Sequence, residues 1–168
     1  MSAAEVRPEV DEISQQVDIA APPERVFRAL TDAKQLFIWW GAEPSVELTV
    51  FEMDARPGGK YHYRCKPKSG ADFGEVGEQL KNSGSGEFIC RGEVLEIDPP
   101  RLLVWSWIAN WHKHPDARTI VRWELTPAAE GTRVRVTHGG LAQEPISRKD
   151  YGQGWVGVLN LLKNFLQK

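Results

Sequence analysis

Cysteine is scarce in this chain: Cys65 and Cys90 are the two in 168 residues, and no CxxC spacing occurs. That argues against a disulfide framework or a thiolate metal site, and leaves two thiols expected to act as small buried hydrophobes. Long apolar runs are missing too. Nothing approaches the ~18 residues of a membrane helix, and the acidic start MSAAEVRPEVDE has neither the basic nor the apolar part of a secretory signal. A cytoplasmic protein without membrane insertion is the expectation. Neither sign of charge is in excess, since 21 basic and 23 acidic residues leave a net charge of −2. No nucleic-acid footprint is therefore expected, and a small uncharged partner is easier to accommodate. No internal repeat and no GxSxG elbow are present, and RPGGK at 56–60, with no helix after it, reads as a hairpin turn rather than a phosphate cradle.

What the chain does have is tryptophan: seven in all, with Trp39 and Trp40 side by side in QLFIWWGAEP. A chain of this length forms one domain, and folding buries roughly 68–70% of its unfolded surface, so stability requires no disulfide, metal or cofactor.

Residues 1–12 are charged and lack apolar periodicity, which reads as a flexible tail before a single domain over 13–168. The strand ISQQVDIA comes first. Pro22 and Pro23 suit the first turn of a helix, ERVFRALTD, and Thr31 and Asp32 can cap a second, AKQLFIWW, that Gly41 ends. From Val46 the period changes to two through six strands: VELTVFEMDA, KYHYRC, EFICRGEVLEI, RLLVWSWI, TIVRWEL and TRVRVTH. Residues 66–86, with five glycines, read as a long surface loop that covers or narrows the mouth of any cavity. From Arg148 onward Tyr151, Trp155, Val158, Leu159, Leu162, Phe165 and Leu166 recur at three and four residues, the stripe of one long helix.

Alternation assigns the faces. Tyr61, Tyr63 and Cys65 share one face of their strand, opposite Lys60, His62 and Arg64. Leu103, Trp105 and Trp107 point the same way on the next long strand, as do Val121, Trp123 and Leu125, and then Val134, Val136 and His138. Glu93 shares a face with Leu95 and Ile97, and Gly92 is the expected bulge. A straight helix meets a strongly twisted sheet over part of its length only, so a ring-lined hollow between the two is expected.

Five segments in order carry a family likeness: IAAPPERVFRALTDAKQLFIWWG, DARPGGKY, GEVLEIDPPRLLVWSW, VRWELTPAAEGTRVRVTHGGL and GWVGVLNLLKNFL. Together they resemble the bacterial single-domain branch of the activator-of-heat-shock-chaperone-ATPase family, within the START-like or SRPBCC superfamily. The resemblance implies an α+β helix-grip fold. In it a seven-stranded curved antiparallel sheet wraps a long C-terminal helix, with two short helices between strands 1 and 2. It also implies an apolar ligand between sheet and helix, or a role at a heat-shock chaperone; the extra N-terminal domain of the eukaryotic activators is not expected here, so ATPase activation does not carry over with the resemblance. On this reading one of Trp39 and Trp40 anchors the short helices while the other lies near the pocket entrance.

The leading expectation is a noncatalytic binder of a lipid-like, flavonoid-like or polyketide-like molecule, lined by Trp40, Tyr61, Tyr63, Trp105, Trp107, Trp123, His138, Trp155 and Leu159. The second is a co-chaperone-type module working through outward Lys60, Arg64, Arg122 and Arg135. The third is a cyclase or hydrolase with His138 as general base. The HxH pair His112 and His114 lacks the further donors of a metal site and reads as an exposed loop. No cofactor is expected.

Overall fold

The computed structural model describes residues 11–167 and places strands where the sequence alternates and helices where apolar residues recur at three and four. In chain order the elements are β1 (Ile13–Ile19), α1 (Pro23–Thr31), α2 (Ala33–Trp40), β2 (Val46–Met53), β3 (Lys60–Pro67), α3 (Gly74–Asn82), β4 (Phe88–Asp98), β5 (Leu102–Ala109), β6 (Thr119–Ala128), β7 (Gly131–Gly139) and α4 (Pro145–Leu166). The seven strands form one antiparallel sheet in the order β1-β7-β6-β5-β4-β3-β2. β1 and β2, consecutive in sequence, therefore sit at opposite edges, with α1 and α2 bridging them. The sheet curls around α4, which gives the α+β helix-grip arrangement.

Local chemistry accounts for the short helices. Pro23 sits in the first turn of α1, where a missing N–H costs nothing. Asp32 ends α1 and restarts the chain as α2, its carboxylate accepting the Lys34 amide at 3.0 Å. Gly41 closes α2, and a Cβ there would lie 2.5 Å from the Phe37 carbonyl oxygen.

The inward alternation holds on β3, β6 and β7. Tyr61, Tyr63 and Cys65 are buried, as are Val121, Trp123 and Leu125, and Val134, Val136 and His138. β5 is buried on both faces, Ser106 included. In β4 the irregularity falls three residues later than the expected Gly92. The register with β5 shifts between Val94 and Glu96, so Leu95 is the extra residue, and Val94 turns inward. Gly92 is needed for a different reason: a Cβ there would lie 2.1 Å from the Ser106 oxygen and 2.8 Å from the Tyr61 ring.

The stretch 66–86 is not a loop throughout, because residues 74–82 form α3. Its local signal is weak, two glycines and one apolar pair at i and i+4. What sustains it is tertiary: Val76 and Leu80 are buried, and the Gln79 side-chain amide donates to the Trp111 carbonyl at 2.9 Å and the Ser147 hydroxyl at 3.3 Å. Of the expected tail over 1–12, residues 1–10 lie outside the described residues. Asp11 accepts the Gly140 amide at 3.0 Å, and the Glu12 carbonyl accepts from Arg148 at 3.0 Å.

Candidate functional site: a ring-lined cavity beneath the long helix

Between the sheet and α4 lies a cavity of about 190 Å³. α4 contributes Tyr151, Trp155, Val158 and Leu161, one helical stripe. The sheet contributes Tyr63 and Cys65 from β3, Phe88 from β4 and Trp107 from β5, all inward positions of the alternating strands. Phe73 and Val76 at the start of α3 form a further wall, so part of the 66–86 segment borders the cavity. Trp40 at the end of α2, Glu43 in the turn after it and Val46 at the start of β2 close it, and Asp150 of α4, exposed, completes the lining with half-buried Glu43.

The tryptophan pair divides its labour. Trp39, 1% exposed, donates its indole N–H to the Ala29 carbonyl at 2.8 Å and ties α2 to α1. Trp40 faces the cavity, its ring 5.3 Å from Tyr63, 5.6 Å from Phe51 and 6.2 Å from Trp155 between centroids. Trp39 thus anchors the short helices, and Trp40 is a wall residue of the cavity.

Of the residues expected to line a pocket, the structure brings Trp40, Tyr63, Trp107 and Trp155 together on the cavity wall. Tyr61, Trp105, Trp123, His138 and Leu159 stand outside the lining, in packed core. Tyr61 stacks on Trp105 at 4.7 Å and donates its hydroxyl to the Ser106 carbonyl at 2.6 Å. Trp105 meets Trp123 edge-on at 6.1 Å, and both indole N–H groups are buried without an acceptor among the described residues. Aromatic packing offsets that cost.

His138, fully buried, is held in a directional chain. Its Nδ1 accepts the Trp155 N–H at 3.2 Å, which leaves the ring proton on Nε2. Nε2 donates to the Thr119 hydroxyl at 2.8 Å, and that hydroxyl donates to the Trp107 carbonyl at 2.8 Å. Burial, with His112 nearby, holds this imidazole well below its usual titration range. A neutral ring whose one lone pair is already occupied has nothing with which to take a proton from a substrate.

Sequence reasoning missed Trp111, Phe73 and Val76 as lining, and misplaced His112. His112 is 2% exposed, and its Nε2 lies 2.7 Å from the Tyr151 hydroxyl, which also accepts the Trp107 N–H at 3.0 Å. Burial lowers its pKa from 6.5 to about 4. The connection after β5 folds inward because buried Glu144 accepts the Lys113 and His114 amides at 2.6 and 2.8 Å, a contact across some thirty residues that no local pattern announces. Burial also pushes the Cys65 thiol up to about 12 and the Tyr63 and Tyr151 phenols well above their ordinary range. Among the described residues no three His, Cys, Asp or Glu side chains are grouped to hold a metal ion, and no helix is long and apolar enough to cross a membrane. The chemistry on offer at the wall is ring surface with few polar tips.

The family model described as Activator of Hsp90 ATPase homolog 1-like protein matches residues 20–167. Among solved structures, a protein from Chromobacterium violaceum is similar at 23% identity, covering 94% of this chain and 99% of that one with a TM-score of 0.72. A protein from Aeromonas hydrophila, called AHSA1-like, aligns at 20% identity over 93% of this chain and 92% of that one, with a TM-score of 0.67. DynU16, from the dynemicin biosynthetic locus, aligns at 20% identity over 94% of this chain but 48% of its own, with a TM-score of 0.66. These likenesses speak to the fold. No curated protein matches the chain.

Proposed function

The chain belongs to the Activator of Hsp90 ATPase homolog 1-like family, and from that premise we propose that it binds a small apolar or aromatic molecule in the cavity beneath α4. The observation that carries the reading is the cavity itself: about 190 Å³ walled by Trp40, Tyr63, Trp107, Trp111, Tyr151 and Trp155. An apolar hollow of roughly 150 Å³ stays dry and takes up a benzene-sized guest, whereas drug-sized ligands occupy roughly 300–1,000 Å³. The volume therefore favours a one- or two-ring molecule over a lipid or a large polyketide. Affinity comes from burying the guest's apolar surface at about 25 cal/mol per Å², less the cost of association.

Titration with one- and two-ring compounds, followed by tryptophan fluorescence, tests the reading. Saturable change is expected in the native protein and is lost in Val158→Trp, which fills the cavity. Absence of saturation by every compound would sink the proposal. A second reading, action on a heat-shock ATPase, rests on the family description and on Phe37 and Ile38, adjacent on α2 and 44% and 58% exposed. Stimulation of the chaperone's ATPase that disappears in a Phe37→Ser, Ile38→Ser variant supports it; no stimulation removes it. His138 as a general base has no support in its bonding.

A further inference from the structure

We propose that the guest is a cation: an arylalkyl or short alkyl amine whose apolar body lies among Trp40, Trp107 and Trp155 and whose ammonium sits at the mouth between Glu43 and Asp150. This rests on the reading of the cavity as a binding site and adds the charge class of its occupant.

Two features of the wall lead there. The ionisable groups are one-sided, because Glu43 and Asp150 border the cavity and no Lys, Arg or His does. Neither carboxylate takes part in an ion pair among the described residues. Glu43 gives one oxygen to the Ser45 amide and hydroxyl, and Asp150, although next to Lys149 in sequence, is not paired with it. An anionic guest would face like charges with no counter-ion, while a cation finds a half-buried carboxylate in Glu43 and an exposed one in Asp150.

The second feature is the surface behind the mouth. Indole and phenol rings attract an ammonium through their electron-rich faces, and the attraction grows where water is thinned out. Trp40, 7% exposed, lies at the centre of this ring surface, 5.3 Å from Tyr63 and 6.2 Å from Trp155 between centroids. The ring body supplies burial and the mouth supplies charge selection. Full burial of an ammonium would be costly; the exposed position of Asp150 lets it remain half-hydrated.

Isothermal titration calorimetry with 2-phenylethylamine, 2-phenylethanol and 3-phenylpropionate, at neutral pH and low salt, separates the charge class from the cavity reading. The amine is expected to bind about tenfold tighter than the alcohol, a factor within reach of a partly desolvated cation–π contact plus two carboxylates, and the carboxylate to bind weakest. In a Glu43→Gln, Asp150→Asn variant, which keeps an acceptor for Ser45, the preference for the amine over the alcohol, both measured on that variant, should collapse to within about twofold. Alcohol binding without any preference for the amine, a preference for the carboxylate, or a preference that survives the double variant overturns this proposal and leaves the cavity reading standing. Binding of none of the three overturns both.

Discussion

Replacing His138 by leucine distinguishes a structural imidazole from a working one. The substitution removes the acceptor of the Trp155 N–H and the donor to the Thr119 hydroxyl. Thr119 keeps its own bond to the Trp107 carbonyl, so one buried donor, the Trp155 indole, is left without a partner. An orphaned buried donor costs about 1–3 kcal/mol, and the added apolar burial of leucine offsets part of it. For a domain of this size each kcal/mol lowers Tm by about 2–4 °C, so a fall of about 2–12 °C is expected. Urea unfolding followed by far-UV circular dichroism should show a lower midpoint with unchanged slope. Guest affinity should stay within about twofold, because His138 stands behind the lining. Unchanged stability would refute the hydrogen-bond chain. Loss of binding with stability intact would refute the placement of His138 outside the working surface.

His112 and His138 are neutral when folded and titrate near 6.5 once unfolded, so the unfolded chain takes up more protons as pH falls below about 6.5 and stability declines from there. At about 1.4 kcal/mol per pH unit, the His112 shift from 6.5 to about 4 amounts to about 3 kcal/mol across that window, and His112→Gln should flatten the slope measured by denaturation at a series of pH values. Gly92→Ala forces a Cβ to within 2.1 Å of the Ser106 carbonyl oxygen, and overpacking of this kind should cost about 1–3 kcal/mol in the same urea assay. A full-stability G92A would mean that β4 and β5 separate freely. Cys65, with its thiol pushed up to about 12, should resist iodoacetamide near pH 8 in the folded protein and react promptly in denaturant, as read by mass spectrometry. Rapid labelling of the native thiol would contradict its burial.

The sequence by itself determined the order of elements apart from α3 and the inward faces of β3, β6 and β7, because a period of two or of 3.6 is a property of neighbouring residues. Tyr63 and Trp107 were legible as inward from alternation alone, Trp155 from the helical stripe, and the break between α1 and α2 from Asp32. Only the tertiary structure decided which inward rings meet a void and which meet one another. Tyr61 and Tyr63 have the same local pattern, yet one stacks in solid core and the other borders the cavity, since the gap depends on where the curved sheet parts from α4. The helical state of residues 74–82, the burial of His112 and the closing wall of Phe73 and Val76 likewise came from contacts between segments distant in the chain. The same long-range packing that built the cavity wall also occupied the lone pair of His138, and so settled what that imidazole can do.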